Sequence, residues 1–279
     1  MDISELYRIF TRHPQVTTDS RDCPEGSIFF ALKGASFNGN AFAKKALDAG
    51  CSYAVIDEKE YAEEGDSRYI LTDDCLKTLQ QLANRHRRTL GTKIIGITGT
   101  NGKTTTKELL AAVLGEKYNV LYTQGNFNND IGVPKTLLRL KPEHEIAVVE
   151  MGMRGLGQIS ALCKLASPDA AVVTNVGETH MELLGSMENI ARAKSEIVEN
   201  LTAQQFAVLN NDDAFVRRMA DKTAAKVISY GCTEEAGVYA QNIKLTAEGS
   251  EFDCVCVAAG EKEHIVLPLL GEHNVYNAL

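Results

Sequence analysis

A glycine-rich run with one lysine and several threonines is the stretch of this sequence best suited to chemistry. Residues 96–106 read GITGTNGKTTT, between a predicted strand and a helix predicted over residues 107–117. Glycines let backbone N–H groups approach phosphate oxygens, a helix start favours an anion, Lys103 adds positive charge and the Thr104 hydroxyl can bind Mg²⁺. The usual eight-residue loop has glycine where Ile97 stands, so this is a shortened G-x-x-G-K-T variant. It predicts a nucleotide phosphate site, the alternative being a glycine turn with an incidental lysine.

Two further candidates follow predicted strands. Glu150 ends the run VVE, and His180 comes after the next strand, in TNVGETH. The carboxyl ends of parallel strands meet at one sheet edge, where such sheets bind ligands, so both are candidate Mg²⁺ ligands beside the phosphate loop. Taken singly, Glu150 could be a helix cap and His180 an ordinary surface or core residue. Lys194, on a predicted helix, is by default a solvated cation.

The elements that must position these residues form two regions. Short strands and helices mix up to about residue 71, whereas a repeated strand, loop and helix pattern begins at residue 93 and predicts a mostly parallel α/β sheet. We therefore expect two α/β domains, over residues 1–90 and 91–279. Alternating residues beyond 237 predict a β-hairpin appendage. The predicted strands of the second domain are residues 93–98, 145–150, 170–174, 206–209, 227–230 and 252–257.

Composition excludes several protein classes. The 279 residues are 44% hydrophobic and 24% charged, which is typical of a folded globular chain, and no apolar run is long enough to cross a membrane. The net charge of −8 disfavours nucleic acid as a partner. The first residues lack a signal peptide, and seven cysteines without a C-x-x-C pair favour reduced thiols, so we expect a cytoplasmic protein.

Several motifs, taken in order, resemble one family. They are residues 98–105, residues 125–134 (GNFNNDIGVP), the Glu150 strand, the His180 loop, and the runs AKSEI (193–197), NNDD (210–213) and HNVYN (273–277). In that order they resemble the Mur ligases, ATP-dependent amide-forming enzymes of peptidoglycan precursor synthesis. The asparagine-rich run most resembles the MurF branch, which adds D-alanyl-D-alanine to UDP-N-acetylmuramoyl-tripeptide through an acyl phosphate. Residues 18–34 are similar to the UDP-sugar-binding domain of two branches.

The resemblance implies a role for each matching residue. Lys103 would hold the β and γ phosphates of ATP, Thr104 and Glu150 one Mg²⁺, and His180 a second, with Lys194 as a carbamate near it. Ser20 and Arg21 match the uridine-diphosphate side, and Asn128 and Asn129 the substrate. The implied nucleotide contacts are Thr98, Gly99, Thr100, Asn101, Gly102, Lys103, Thr104, Asn274 and Asn277.

The sequence departs from the family in two places. Many relatives have Asp-Gly-His where this chain has Asn38-Gly39-Asn40, which leaves a substrate contact there unsupported. Relatives also continue into a third domain that closes over ATP, and this chain ends before it. We therefore expect this chain to bind ligands and to turn over slowly or not at all, because closure completes such a site. Separately, we expect a monomer.

Other functions remain open at this point. A MurE-type ligase that adds the third residue, or a folylpolyglutamate-synthetase-like ligase, keeps the chemistry and changes the acceptor; the asparagine-rich run argues against both. A third alternative is a P-loop NTPase or switch protein, which would bind a nucleotide but have no affinity for a UDP-sugar. The third residue of the substrate, lysine or diaminopimelate, is not fixed by the sequence.

Overall fold

The computed structural model describes residues 2–179 and 181–279. The chain folds into two compact units, residues 1–91 with 130–142 and residues 92–129 with 143–279. The helices are α1 (Ile3–Arg12), α2 (Ala43–Asp48), α3 (Cys75–Leu90), α4 (Lys103–Gly115), α5 (Gly132–Leu137), α6 (Gln158–Ala166), α7 (Met181–Leu184), α8 (Met187–Glu199), α9 (Ala214–Arg217) and α10 (His273–Ala278). The strands are β1 (Val16–Thr17), β2 (Ile28–Phe30), β3 (Tyr53–Ile56), β4 (Tyr69–Leu71), β5 (Lys93–Thr98), β6 (Val120–Tyr122), β7 (Ile146–Glu150), β8 (Ala170–Val173), β9 (Phe206–Asn210), β10 (Lys226–Gly231), β11 (Val238–Leu245), β12 (Ser250–Cys256) and β13 (Glu261–Leu267).

The first unit is a parallel sheet in the order β1-β2-β3-β4 with helices packed on it. Its buried strands are apolar throughout, as expected where both faces are covered. The helix α3 begins after Asp74, whose carboxylate accepts the N–H of Lys77 at 2.9 Å. It ends at Gly91, which has the left-handed φ of +69° of a helix C-terminus. The predicted α/β class is confirmed.

The asparagines that depart from the family pattern hold a turn of the first unit together. Asn40 is 1% exposed, donates to Asp57 Oδ1 at 2.8 Å and accepts the N–H of Asp57 at 2.9 Å. Asn38 donates to Glu58 at 2.6 Å, and Lys33 pairs with both carboxylates at 2.9 and 2.8 Å. Buried amides must find partners, and these have found them within the turn.

The second unit is a mixed sheet in the order β13-β12-β11-β10-β9-β8-β5-β7-β6. Strands β5 to β11 pair in parallel, whereas β11, β12 and β13 pair antiparallel. The expected β-hairpin appendage is therefore a three-stranded extension of the main sheet, since β11 pairs with β10. The central strand β5 has the predicted bounds, residues 93–98.

The helix after the glycine-rich run begins one turn earlier than predicted, at Lys103 rather than at residue 107. Gly102 precedes it with a φ of +81°, and its carbonyl accepts the N–H of Thr106 at 2.8 Å. Threonine has a low helix propensity, so a prediction from propensity places the helix start too late. The glycine turn overrides it and places Lys103 and Thr104 in the first turn.

Two further features of the chain are the state of its cysteines and the length of its apolar helices. All seven cysteines are free thiols in the structure. Within residues 2–179 and 181–279, no helix is both long enough and apolar enough to cross a bilayer.

A buried histidine of the first unit predicts that this unit loses stability in acid. Burial lowers the pKa of His86 from its ordinary 6.5, although the Leu140 carbonyl, 2.9 Å from Nε2, opposes this. Below about pH 6.5 the unfolded chain takes up a proton that the native chain does not, so the free energy of unfolding falls with pH. We expect the His86→Gln variant to lose less stability than wild type between about pH 7.5 and about pH 5.5 in urea unfolding.

Tyr7→Phe is the matched control, because the Tyr7 hydroxyl lies 3.2 Å from His86 Nδ1. That variant keeps the imidazole and should keep the acid sensitivity. An equal loss of stability in wild type and His86→Gln would exclude His86 as its source.

Candidate active site

The glycine-rich loop is a close fit between two neighbouring chain segments. Gly99 has a φ of +155° and Gly102 one of +81°, a region that favours glycine. A Cβ on Gly99 would collide with the Thr174 hydroxyl, and a Cβ on Gly102 with the side-chain oxygen of Asn277. Both glycines are therefore required by backbone conformation and by space, as in a loop that cradles phosphate.

The loop is fastened to the carboxyl end of β8. The backbone N–H of Thr100 donates to the carbonyl of Asn175 at 3.0 Å, and that of Asn101 to its side-chain oxygen at 2.8 Å. The Thr174 hydroxyl donates to the Asn101 carbonyl at 2.7 Å. Thr98 is fully buried at the end of β5, and its hydroxyl has no hydrogen-bond partner in the described part of the chain. The sheet edge thus fixes the shape of the loop.

Lys103 points back into this loop. Its Nζ donates to the carbonyls of Gly99 at 2.7 Å and Thr100 at 2.9 Å. Burial lowers the pKa of Lys103, and the negative charge of Glu150 partly offsets that. The cation therefore sits at the first turn of α4, where backbone N–H groups also favour an anion.

Glu150 lies at the end of β7 and is 1% exposed. Its carboxylate accepts the Thr104 hydroxyl at 3.0 Å and the Asn128 amide at 2.8 Å. The carbonyl of Asn128 accepts the N–H of Gly152 at 2.7 Å, which fixes the asparagine-rich run beside the carboxylate. The structure therefore brings together three of the predicted site residues, from α4, β7 and the run that follows β6.

The lysine of the AKSEI run is buried rather than solvated. Lys194 on α8 is 3% exposed, and burial, followed by repulsion from Lys103, lowers the pKa of Lys194 to about 7. Much of this amine is then neutral near neutral pH, unlike an exposed lysine. His180, the other predicted residue of this part of the site, lies outside the described residues.

A cavity of about 490 Å³ opens beside the loop. Asn277 lines it and accepts the Thr106 hydroxyl at 3.3 Å, while its amide donates to Asn274 at 2.9 Å. Among the residues that line the cavity are several that sequence reasoning gave no role: Asn210, Asp212, Asp213, Tyr230, His273 and Tyr276.

The strand ends could have pointed to some of these cavity residues. Asn210 ends β9 and Asp212 and Asp213 follow it, at the same carboxyl edge as Glu150. Asp212 accepts the Tyr276 hydroxyl at 3.0 Å and the N–H of Cys232 at 2.6 Å, which ties α10 to the segment after β10. The partnership with Tyr276 spans 64 residues and has no local sequence signal.

The predicted substrate residues are divided between the two units. Ser20 and Arg21 belong to the first unit, where Arg21 is exposed and pairs with Asp19 through two bonds, at 2.9 and 2.7 Å. Hydrogen bonds from Arg21 hold the pKa of Asp19 well below its usual range. Asn128 and Asn129 belong to the second unit, and Asn129 is exposed.

Comparisons with known proteins agree with this geometry. The family model described as "Mur ligase middle domain" matches residues 97–279, and that described as "Mur ligase family, catalytic domain" matches residues 14–87. The UDP-N-acetylmuramoyl-tripeptide–D-alanyl-D-alanine ligase of Bacillus subtilis (strain 168) is 40% identical, over 100% of this chain and 61% of the relative.

Solved structures of this family also resemble the chain. A crystal structure of MurF from Acinetobacter baumannii has a TM-score of 0.86 and 33% identity, over 94% of this chain and 57% of that one. The MurF ligase of Thermotoga maritima in complex with ADP has a TM-score of 0.84 and 28% identity, over 94% and 60%. The chain thus spans about three fifths of the length of the relatives it matches.

Proposed function

This chain belongs to the Mur ligase family, and from that premise we propose that it serves the ATP-dependent joining of D-alanyl-D-alanine to UDP-N-acetylmuramoyl-tripeptide. The observation that carries the proposal is the pairing of the Thr104 hydroxyl with the buried Glu150 carboxylate, 3.0 Å apart, beside the glycine-rich loop. It is supported by the name of the 40% identical relative. Residues 125–134 resemble the branch of the family that catalyses this reaction.

We propose that ATP lies with its phosphates on the loop of residues 98–104 and its nucleoside in the neighbouring cavity. The loop supplies backbone N–H groups, a helix N-terminus and the Lys103 cation. These three features together are typical of a phosphate-binding site. A relative of 28% identity is in complex with ADP. Asn277 lines the cavity, whereas Asn274 holds Asn277 and donates to the Leu270 carbonyl at 2.8 Å.

The donor set of this site fits Mg²⁺. Thr104 and Glu150 present hard oxygen atoms, which Mg²⁺ prefers, and within the described residues no three His, Cys, Asp or Glu side chains gather to form a complete protein cage. Mg²⁺ is commonly held by one or two protein oxygens together with substrate phosphates. When bound, it neutralises phosphate charge in the transfer. A second Mg²⁺ at His180 stays a prediction.

The proposed reaction needs no nucleophile from the protein. A carboxylate oxygen of the tripeptide bonds to the γ phosphorus of ATP, and the bond to the bridging oxygen breaks, giving an acyl phosphate and ADP. The amine of D-alanyl-D-alanine then attacks the acyl carbon, phosphate leaves and the amine loses a proton. Positioning and charge neutralisation dominate such transfers, so Lys103 and the first turn of α4 carry most of this chain's task.

We propose that Lys194 carries a carbamate, as the family resemblance implies. Addition of CO₂ to an amine requires its neutral form and releases a proton, and a pKa of about 7 provides that form near neutral pH. We expect ¹³C NMR with labelled bicarbonate to show one carbamate signal at neutral pH that is lost in Lys194→Met. Lys164→Met, on an exposed position of α6, should keep the signal; a signal unchanged in Lys194→Met would exclude the assignment.

Substrate contacts and organisation are proposed on the same resemblance. Ser20 and Arg21 would face the uridine diphosphate, and Asn128 and Asn129 the peptide. We assign UDP-substrate binding to residues 1–90 and ATP binding to residues 91–279. The cytoplasmic location, the monomeric state and slow turnover by this length of chain stay predictions.

A ligase assay with the acceptor varied tests the proposed function. ADP release and the mass of the product are measured with Mg·ATP, UDP-N-acetylmuramoyl-tripeptide and D-alanyl-D-alanine, using this chain and the full-length gene product. The proposal expects a pentapeptide product formed in step with ADP. Three other outcomes would each replace the proposed function with the corresponding alternative. They are a product from the dipeptide precursor and an amino acid, a product from folate and glutamate, and ADP release that does not depend on any acceptor.

A further inference from the structure

A lysine one turn beyond the phosphate loop is buried without a hydrogen bond. Lys107 on α4 has no measurable exposure, and its Nζ has no hydrogen-bond partner among residues 2–179 and 181–279. An ammonium group has three N–H donors, and burying it without acceptors is strongly unfavourable. Such a cation calls for hydrogen-bond acceptors, and none of the described residues accepts a hydrogen bond from it.

The contacts that Lys107 does make are weak and easily replaced. Its Nζ lies 5.6 Å from the centre of the Tyr122 ring, a cation–π distance, and 3.5 Å from Glu108 Oε1. The Glu108 side chain is 62% exposed, so water screens its charge. Tyr122 is 40% exposed at the end of the edge strand β6, so its ring has open solvent into which it can turn.

The position of Lys107 in the fold places it near the proposed chemistry. It follows Lys103 by four residues and Thr104 by three, so it lies on their side of the helix. Tyr122, which covers it, shortly precedes the asparagine-rich run, whose Asn128 bonds to Glu150 at 2.8 Å. Lys107 therefore stands on the β6 side of the site, and Lys103 on the loop side.

We propose that Lys107 binds the acceptor carboxylate of the peptide substrate, with the Tyr122 ring turning aside as the carboxylate replaces it. The inference rests on the proposed function and deepens it by assigning the group that is to be phosphorylated. A carboxylate gives the ammonium a charge-assisted hydrogen bond, which is stronger than its contact with an aromatic face.

The acceptor carboxylate fits better than a nucleotide phosphate. The phosphates already have the loop N–H groups and Lys103, whose Nζ lies within 2.9 Å of two loop carbonyls. Lys107 is one helical turn away from that loop, towards the asparagine-rich run. Its cation would orient the carboxylate for attack on the γ phosphorus and leave nucleotide binding to Lys103.

The test compares two ligands and two variants by calorimetry on the 279-residue chain with a Mg²⁺-bound ATP analogue present. The ligands are UDP-N-acetylmuramoyl-tripeptide and the same molecule with its acceptor carboxylate converted to an amide. For Lys107→Met we expect affinity for the acid to fall about tenfold or more and affinity for Mg·ADP to change less than about twofold. The amide should bind wild type and Lys107→Met equally weakly, because the amide has already lost the ion pair that the substitution would remove.

Lys117→Met is the matched control, since Lys117 is exposed beyond the end of α4 and its Nζ lies 5.5 Å from the Tyr118 ring. It should leave both affinities unchanged. Lys107→Gln gives a second variant with the same expected pattern should Lys107→Met unfold. Unchanged affinity for the acid, or equal losses for acid and nucleotide, would overturn the inference. Failure of wild type to bind the acid would instead overturn the proposed function, and the inference with it.

Discussion

Nucleotide binding by Lys103→Ala is expected to fall below detection in a calorimetric titration with Mg·ADP. The Lys103 ammonium is the cation at the start of α4, and Nζ lies 2.7 and 2.9 Å from the two loop carbonyls. Removing one partner of a buried charge pair costs about 2 to 5 kcal/mol, which is roughly 30-fold to several thousand-fold in Kd. The fold should survive, because burial already disfavours the charged form of this lysine.

Lys117→Ala controls for the loss of a positive charge from the same chain segment, at its exposed end. It should bind Mg·ADP as wild type does, and circular dichroism should show both variants folded. A folded Lys103→Ala chain with wild-type affinity would remove the loop from the nucleotide site.

Glu150→Gln is expected to reduce kcat/KM of the ligase reaction by roughly 100-fold or more, since metal-ion charge stabilisation contributes several kcal/mol. The amide keeps the shape of the side chain but loses the negative charge that faces Thr104. It also places an N–H₂ group where the carboxylate accepts from Asn128 at 2.8 Å. The Mg²⁺ concentration that gives half-maximal rate should therefore rise.

The matched control is Glu145→Gln, an exposed position just before β7 whose carboxylate accepts the N–H of Asn119 at 3.1 Å. It should leave the Mg²⁺ dependence of the full-length gene product unchanged. An unaltered Mg²⁺ dependence in a folded Glu150→Gln enzyme would contradict Glu150 as the metal ligand.

Local patterns account for the parts of the fold and site that the sequence predicts. The strand β5 and the glycine turn after it are encoded within a dozen residues, and Glu150 follows from the rule that parallel strands end at one edge. The predicted start of α4 is one turn too late, because the low helix propensity of the threonines hides the start that Gly102 sets. The predicted hairpin is a three-stranded extension, because β11 joins the main sheet by pairing in parallel with β10, and an alternating pattern does not reveal which strand is the neighbour.

Burial and long-range contacts determine the features of the fold and the site that the sequence does not predict. Lys107 and Lys194 look like solvated helix residues in the sequence, and only the packing of the fold buries them. Asn38 and Asn40 read as lost substrate contacts until the turn with Asp57 and Glu58 is seen. The link between Asp212 and Tyr276 joins segments that no local pattern relates.

Calorimetric titration of the 279-residue chain with UDP-N-acetylmuramoyl-tripeptide, beside the dipeptide precursor and a Mg·ATP analogue, tests whether this chain recognises the substrates of the proposed function. The proposed function predicts that the nucleotide binds and that the tripeptide binds more tightly than the dipeptide. Equal or tighter binding of the dipeptide, or nucleotide binding without affinity for either UDP-sugar, would contradict it.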